Sequence, residues 1–154
     1  MADSAGPVRI HAWLIRPAQA QDAAGVAALL DQLGYPCEPE EAAGRLRALA
    51  DEADQQLLVA DHHGELLGLV ALDLMYYLPL GARTCRITAL AVADSARRRG
   101  VGRRLLREAE QFARQAGAAR IELTSAPHRQ DAHAFYLACG YDCGAMRFVK
   151  RLGA

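Results

Sequence analysis

The chain has 154 residues, with 18 Lys plus Arg balanced by 18 Asp plus Glu, so it carries no formal net charge at pH 7. This balance argues against a general nucleic-acid or membrane-surface binder, and no apolar run reaches the roughly 18 residues of a membrane span. The length suits one domain, which we expect over residues 9–154 after a flexible tail of residues 1–8. We expect a cytoplasmic protein with reduced thiols, because the spacing of its four cysteines matches no zinc site.

Hydrophobic periodicity predicts a chain in which strands and helices are interspersed. The predicted order is strand, helix, helix, hairpin, strand, helix, strand, helix and a final bent strand or hairpin, over residues 10–18, 19–34, 40–51, 55–77, 84–93, 100–117, 119–126, 129–140 and 141–152. The long helix that begins near Gly100 has a clean apolar stripe and ends at Gly117. No linker, internal repeat or second domain interrupts this order.

The densest local charge is the stretch RRRGVGRRLL, residues 97–106, which places five arginines around two glycines. It falls between a predicted strand end near Val92 and the helix start near Gly100. The first amides of a helix have no intrahelical partners, so together with the helix dipole they favour a phosphate or pyrophosphate. Taken alone, the stretch fits a solvated basic helix start equally well. The Walker A pattern fails because Arg103 follows Gly102, and the dinucleotide pattern needs a third glycine.

The pattern that fits is Arg/Gln-x-x-Gly-x-Gly/Ala, with Arg97, Gly100 and Gly102 in place. It resembles the acetyl-coenzyme A loop of the GNAT superfamily of N-acetyltransferases, and the resemblance extends from about Leu14 to Lys150. The later stretch DAHAFYLACGY resembles the family's Ala-x-x-x-Tyr-x-x-x-Gly-Phe/Tyr segment. Within the superfamily, LLDQLGYP and RQDAHAFYLACGY look most like the aminoalkylphosphonate N-acetyltransferases, and related small-amine and aminoglycoside acetyltransferases have similar segments.

The resemblance implies an α/β (α+β) GNAT fold, in which about four helices flank a mixed, mostly antiparallel sheet whose central strands splay at the cofactor site. It implies acetyl-CoA as cofactor, no metal and a homodimer. Backbone amides of the loop would bind the pyrophosphate, the strand before it would follow the pantetheine arm, and the Val92 amide would polarise the thioester carbonyl. The cofactor-binding residues implied in this way are Leu90, Ala91, Val92, Arg97, Arg98, Arg99, Gly100, Val101, Gly102 and Arg103.

Tyr136 is the expected general acid, because a tyrosine hydroxyl can donate to a developing thiolate while staying neutral at pH 7. A packed aromatic side chain beside Phe135 is the alternative role. Many GNAT members carry a glutamate on the central strand as general base, whereas residues 84–90 contain no carboxylate. The base is therefore unassigned between a chain of water molecules and the side chains of His128, His133 and Asp73.

Together these features predict direct transfer of an acetyl group, in a ternary complex, to the primary amine of a small molecule that resembles an aminoalkylphosphonate or an amino acid. The expected acceptor-binding residues are Tyr35, Tyr76, Tyr77, Arg83 and Arg129. The tyrosines fit core or dimer contacts equally well, and the arginines would otherwise be solvated surface residues. A protein or peptide N-acetyltransferase and a non-catalytic acetyl-CoA sensor remain open alternatives. Neither a nucleic acid nor a membrane is an expected partner.

Overall fold

The computed structural model of the chain describes residues 13–125 and 128–153. Its five strands and four helices within these residues confirm the predicted α/β class. In chain order they are β1 (Leu14–Pro17), α1 (Ala23–Leu33), α2 (Pro39–Ala50), β2 (Gln55–His62), β3 (Glu65–Tyr77), β4 (Ala82–Val92), α3 (Val101–Gln115), β5 (Arg120–Leu123) and α4 (Gln130–Ala138). The predicted tail over residues 1–8, and residues 10–12 and 126 of two predicted strands, lie outside the described residues. The extent of the domain, residues 9–154, stays a prediction.

The strands form one sheet in the order β1-β2-β3-β4-β5. All neighbouring strands are antiparallel except β4 and β5, which are parallel. Because a parallel pair needs a crossover connection, the chain between them forms the long helix α3. The predicted mixed, mostly antiparallel sheet is therefore confirmed.

Helices cover both faces of the sheet. The predicted apolar stripe of α3 is buried against one face through Val101, Leu105, Leu106, Ala109 and Ala113. The opposite face is covered by α1 and α2, whose buried residues are Val26, Ala27, Leu29 and Ala42. Burying a leucine or valine side chain stabilises a fold by about 1.5–3 kcal/mol. The burial of these side chains therefore holds α1, α2 and α3 against the sheet.

Gly68 on β3 allows the close approach of α3 to the sheet. A Cβ atom at this position would lie 2.8 Å from the Ala91 carbonyl oxygen, 3.0 Å from Leu105 and 3.1 Å from Val101. The absence of a side chain therefore lets the first turns of α3 rest directly on the β3–β4 pair. The N-terminus of α3 is in this way fixed beside the end of β4.

The prediction of a final strand or hairpin over residues 141–152 is wrong. Residues 141–153 have no regular secondary structure, and the side chains of Met146, Phe148 and Leu152 are 80–90% exposed. The alternation of apolar residues suits a strand, but a strand also needs a hydrogen-bonded neighbour. Within the described residues no strand pairs with this segment, which contacts the end of β5 through a hydrogen bond from Arg147 Nη1 to Thr124 Oγ1 at 3.2 Å.

Arg16 on β1 ties the start of the helical layer to the sheet. Its Nη1 and Nη2 atoms donate to the two carboxylate oxygens of Asp22 at 2.8 and 2.9 Å, and its Nε donates to Asp61 at 3.1 Å. Asp22 is only 6% exposed, and the hydrogen bonds from Arg16 hold the pKa of its carboxyl below the ordinary value although burial acts in the opposite direction. The bidentate geometry provides two charge-assisted hydrogen bonds, which offset the free-energy cost of burying the Asp22 carboxylate.

We expect Arg16→Met to lower the free energy of unfolding by about 3 kcal/mol at pH 7, because it leaves the buried Asp22 carboxylate without its counter-ion. Urea unfolding followed by circular dichroism measures the loss. Arg45→Met is the matched control. Arg45 and Glu41 form an ion pair in which both side chains are more than half exposed, so its loss should cost less than about 0.5 kcal/mol.

The pH dependence tests the same pair. A lowered folded-state pKa gives Asp22 a stabilising contribution that is present above its unfolded pKa, near 3.9, and is lost as the pH falls through the folded pKa. The difference between wild type and Arg16→Met should therefore shrink below about pH 4. An equal difference at pH 7 and pH 3.5 would contradict this assignment.

Candidate active site

The distal end of β4 has one free backbone edge. The Ala93 amide donates to the Leu67 carbonyl at 2.8 Å, on the β3 side. Because backbone groups of successive residues in a strand point to opposite edges, the N–H and C=O groups of Leu90 and Val92 face away from β3. The parallel partner β5 pairs with β4 only as far as Ile87. No described strand therefore occupies the edge beside Leu90 and Val92. The Val92 carbonyl on this edge accepts a hydrogen bond from the Gln32 side chain at 2.7 Å, and the remaining groups of this free edge can pair with an extended ligand that carries amides.

A bulge on β4 lies where the two strands separate. The register with β3 passes from Ile87 opposite Leu72 to Ala89 opposite Ala71, which leaves Thr88 as an extra residue. The Thr88 hydroxyl donates to the Ala71 carbonyl at 3.4 Å. A bulge bends its strand and increases the local twist, so this residue gives a physical reason for β4 and β5 to part directly after Ile87.

The loop between β4 and α3 presents consecutive backbone donors. The Arg97 amide donates to Asp94 and the Arg104 amide donates to Gly100. Residues 97–100 form a turn, and none of the amides of residues 98–103 makes a well-aligned hydrogen bond to a backbone acceptor in the described chain. Arg98 and Gly100 both have left-handed backbone conformations, with φ values of 63° and 80°. Alternation of left- and right-handed residues turns successive N–H groups into a concavity that suits an anion, and a helix N-terminus adds to that preference.

The five arginines of the loop and the first turn of α3 differ in their partners. Arg97 is paired with Asp94 at 2.8 Å, and the guanidinium of Arg104 stacks on Trp13 at 4.6 Å from the ring centroid. The remaining three, Arg98, Arg99 and Arg103, form no ion pair within the described residues. Three unneutralised guanidinium groups beside six free amides make this loop, here named the anion loop (residues 97–103), the most anion-attracting feature of the fold.

Tyr136 on α4 lies beside the anion loop through its neighbour Phe135. A Cβ atom placed on Gly102 would lie 3.4 Å from both Phe135 and Val92, and the rings of Phe135 and Tyr136 are 5.5 Å apart. Burial raises the pKa of Tyr136 above its ordinary value, while the positive charge of Arg129 acts in the opposite direction. The hydroxyl therefore keeps its proton at neutral pH and can donate it.

Tyr141 has a different environment from Tyr136. Its hydroxyl donates to Glu110 Oε2 on α3 at 3.2 Å, and burial together with that carboxylate raises its pKa. The Tyr136 hydroxyl forms no hydrogen bond with a described residue. Of these two neighbouring tyrosines, Tyr141 is used for packing and Tyr136 has its donor available.

Among the possible bases, Asp73 on β3 lies opposite Arg86 on β4. The sequence analysis missed a second carboxylate, Glu122 on β5, which accepts hydrogen bonds from Arg86 at 3.1 and 3.2 Å and pairs with Arg120 at 3.3 Å. Glu122 alternates with the apolar Ile121 and Leu123, which indicates that its side chain points away from α3. The sequence of β5 alone does not identify Arg86 on β4 as its partner. Two guanidinium groups, those of Arg86 and Arg120, already bind the Glu122 carboxylate.

Neither histidine is assigned as the base. His128 is exposed, and His133 lies on α4 one turn before Tyr136. The general base therefore stays unassigned.

The expected acceptor-binding residues fall into two groups. Tyr76 and Arg83 pair in register at the opposite end of the β3–β4 pair from the anion loop, Arg83 forms an ion pair with Asp54, and Arg120 stacks on Tyr77 at 4.5 Å. Arg83 precedes Leu90 by seven residues, or about 23 Å along a strand. The structure does not bring this group to the free edge.

The second group, Arg129 and Tyr35, lies on elements that adjoin the free edge or Tyr136. Arg129 immediately precedes α4 and acts electrostatically on Tyr136. Tyr35 is exposed just after the end of α1. An open apolar groove of about 100 Å³ between α1, α2 and the sheet reaches Ala89, next to the bulge, with Arg45 at its rim.

None of the helices described here is long and apolar enough to cross a membrane. No group of three or more His, Cys, Asp and Glu side chains in residues 13–125 and 128–153 is arranged to hold a metal ion.

Comparison with known proteins relates this geometry to a family. Residues 23–141 match the acetyltransferase (GNAT) family. The aminoalkylphosphonate N-acetyltransferase of Salmonella typhimurium is 38% identical over 94 residues, which are 61% of this chain and 61% of that protein. An uncharacterized N-acetyltransferase of Bacillus subtilis is 30% identical over 132 residues, 83% of this chain and 89% of that one.

A solved structure extends the comparison to the fold. A GNAT family acetyltransferase of Staphylococcus aureus superposes with a TM-score of 0.78 at 25% identity, covering 91% of this chain and 98% of that one. The chain thus spans less than two thirds of the aminoalkylphosphonate relative but nearly all of this structural neighbour.

We expect Gly102→Asp to weaken coenzyme A binding at least tenfold by calorimetry, because it adds a negative charge beside the free amides of the anion loop. An acidic residue in the first turn of a helix is favourable, so the thermal midpoint should not fall by more than a few degrees. Gly102→Ala is the control, since its Cβ would make ordinary contacts at 3.4 Å. Equal affinity in both variants and wild type would contradict the anion loop assignment.

Proposed function

The chain belongs to the acetyltransferase (GNAT) family of N-acetyltransferases, and we propose that it transfers the acetyl group of acetyl-CoA to the primary amine of a small molecule. The GNAT family generally uses acetyl-CoA as its acetyl donor. The observation that carries the proposal is the junction of β4 and the anion loop, where a free strand edge leads directly into six amides without backbone acceptors.

This junction fits the two chemically different parts of acetyl-CoA. A pyrophosphate needs several donors and positive charge, which the amides of residues 98–103 and the arginines Arg98, Arg99 and Arg103 supply. Amides of an extended arm need backbone partners, and the N–H and C=O groups of Leu90 offer them on the free edge, while the Val92 carbonyl is bound to Gln32. Leu90, Ala91, Val92 and the anion loop, including Arg97, Gly100, Val101 and Gly102, are therefore the proposed cofactor-binding residues.

Acetyl-CoA supplies an activated acyl group, and two residues of the chain are proposed to act on its transfer. The Val92 N–H points to the free edge, where it can donate to the acyl oxygen as negative charge develops. The Tyr136 hydroxyl, protonated at neutral pH, donates its proton to the departing sulfur. The amine attacks directly in a ternary complex, so that the new C–N bond forms as the C–S bond breaks.

The attacking amine must lose a proton, and the structure supports no side chain strongly for that role. Asp73 and Glu122 face Arg86 across the strands, and Arg86 and Arg120 bind the Glu122 carboxylate directly. We propose that the amine reaches the site already neutral, having lost its first proton to water. After attack, the nitrogen loses a second proton to water, and water returns a proton to the Tyr136 hydroxyl that protonated the sulfur. The rate is then expected to follow the ionisation of the amine itself.

The proposed acceptor is a small amine that carries an anionic group, in the manner of an aminoalkylphosphonate or an amino acid. The Salmonella relative's name supports this class. In the chain itself, Arg129 lies within electrostatic reach of Tyr136, and an arginine fork matches a phosphonate or carboxylate. Tyr35 remains a proposed contact, whereas Tyr76, Tyr77 and Arg83 gain no support from their position.

The two alternative functions make different demands on the site. A protein or peptide N-acetyltransferase needs an open channel for a chain on both sides of the amine, a demand that peptide acceptors test directly. A non-catalytic sensor has no use for a protonated tyrosine hydroxyl, and the Tyr136 hydroxyl forms no hydrogen bond with a described residue. This feature favours an enzyme over a sensor.

The proposal includes a homodimer with no nucleic-acid or membrane partner. The C-terminal segment, residues 141–153, exposes Met146, Phe148, Val149 and Leu152. Contiguous exposed apolar side chains are typical of an interaction surface, and they support a second copy of the chain as the partner. A cytoplasmic location stays a prediction.

We expect Tyr136→Phe to lower kcat by about 100- to 10,000-fold, the usual contribution of a general acid, with the Kd of acetyl-CoA within threefold of wild type. Thiol release measures the first quantity and calorimetry the second. Tyr141→Phe is the control, because its hydroxyl binds Glu110; it should change kcat by less than about threefold. If kcat of Tyr136→Phe stays within twofold of wild type, Tyr136 only packs.

We expect aminomethylphosphonate-type amines and amino acids to be better acceptors than polyamines or lysine peptides, judged by kcat/KM. With no side-chain base, the rate should rise with pH toward the pKa of the amine. Tyr136 should cause no decline below about pH 10, because its raised pKa keeps it protonated. Preference for polyamines or peptides would refute the anionic acceptor, and a plateau near pH 6.5 would indicate a histidine base.

A further inference from the structure

Gln32, near the C-terminal end of α1, reaches across to the end of β4. Its Nε2 atom donates to the Val92 carbonyl at 2.7 Å, and its Oε1 atom accepts from the Asp94 amide at 2.9 Å. The side-chain carboxamide therefore bonds at both ends to backbone groups that lie 60 and 62 positions away in the chain. Val92 is the last residue of β4, and Asp94 begins the short 3-10 turn, Asp94–Ala96, that leads into the anion loop.

These bonds fix one peptide group at the start of the site. The carbonyl of Val92 and the amide of Ala93 belong to the same planar peptide. Its N–H donates to Leu67 on β3 at 2.8 Å, and its C=O accepts from Gln32 on the opposite edge. A peptide held on both edges cannot rotate freely, so the preceding peptide, which carries the Val92 N–H, is also held toward the free edge.

The same side chain fixes the turn that follows. The Asp94 amide would otherwise have no acceptor at the point where the chain leaves the sheet. With that amide bound to Gln32, and with the amides of Ala96 and Arg97 bound to Ala93 and Asp94, the chain enters the anion loop in one direction. The position of the six free amides therefore depends on this connection.

We propose that Gln32 is a positioning residue for acetyl transfer, which orients the Val92 amide toward the acyl oxygen and sets the entry into the anion loop. This inference rests on the proposed function. Gln32 is exposed, and α1 is already held on the sheet by the buried side chains of Val26, Ala27 and Leu29. The two hydrogen bonds of Gln32 are therefore not needed to dock α1 on the sheet. They act instead on the conformation of Val92 and Asp94.

The test compares Gln32→Leu and Gln32→Glu with the matched control Gln115→Leu, an exposed position at the last residue of α3. Leucine keeps the size of the side chain and removes both bonds. Glutamate keeps an acceptor for Asp94 but places a carboxylate oxygen against the Val92 carbonyl oxygen. The two variants thus separate the two halves of the connection.

In steady-state assays with acetyl-CoA and the best acceptor, Gln32→Leu should lower kcat/KM for acetyl-CoA about tenfold, through both a lower kcat and a higher KM. The KM of the acceptor should stay within twofold. Gln32→Glu should also lower kcat, because it loses the bond to Val92. Gln115→Leu should match the wild type, and the thermal midpoints of all three variants should lie close together.

Hydrogen exchange in the protein without ligand gives an independent measurement. The Asp94 amide should exchange faster in Gln32→Leu and remain protected in Gln32→Glu. Unchanged exchange at Asp94 in Gln32→Leu, or a kcat/KM within twofold of wild type, overturns the proposal. Failure of the wild-type protein to acetylate any amine would instead overturn the proposed function, while the exchange of Asp94 would still report on the connection itself.

Discussion

The separation of β4 from β5 after Ile87 is the constraint on which the rest of the site depends. Had the two strands stayed paired to Val92, the backbone groups of Leu90 and Val92 would bond to β5, and no edge would remain for a ligand. The bulge at Thr88 redirects β4 at that point, and Gly68 lets α3 rest directly on the β3–β4 pair. The free edge and the free helix N-terminus therefore adjoin, and a single extended molecule can contact both.

The anion loop shows how a helix start tolerates charges that oppose its dipole. Of the five arginines at residues 97–104, two have partners, since Arg97 in the loop is paired with Asp94 and Arg104 just after it stacks on Trp13. The other three leave positive charge close to six free amides, which is unfavourable for an isolated loop and favourable around a bound polyanion. The positive φ of Arg98 points the same way, because a non-glycine residue in that conformation costs free energy that the surroundings must offset.

Sequence patterns predicted those parts of the fold that depend on residues close together in the chain. The stripe of α3, the hairpin at Gly64 and the glycine spacing of the anion loop each follow from neighbours in sequence, and each is present. The final segment fails because strand formation there depends on a partner that the sequence does not identify. The same limit applies to the Gln32 connection and the Arg86–Glu122 pair, because each joins residues 36 or more positions apart. The position of Arg83 is a related case, since only the strand register shows that it lies at the end of β4 away from the free edge.

A charged row crosses the sheet next to the bulge. Asp73, Arg86 and Glu122 occupy opposing positions on three adjacent strands, and the Arg86 guanidinium forms an ion pair with Glu122 at 3.1 Å. Arg120 binds the same carboxylate at 3.3 Å, so Glu122 is engaged within the sheet. The proposed reaction therefore places the proton requirement on the acceptor amine. In the proposed reaction, the chain contributes an oriented amide at Val92 and a protonated hydroxyl at Tyr136, both on the donor side.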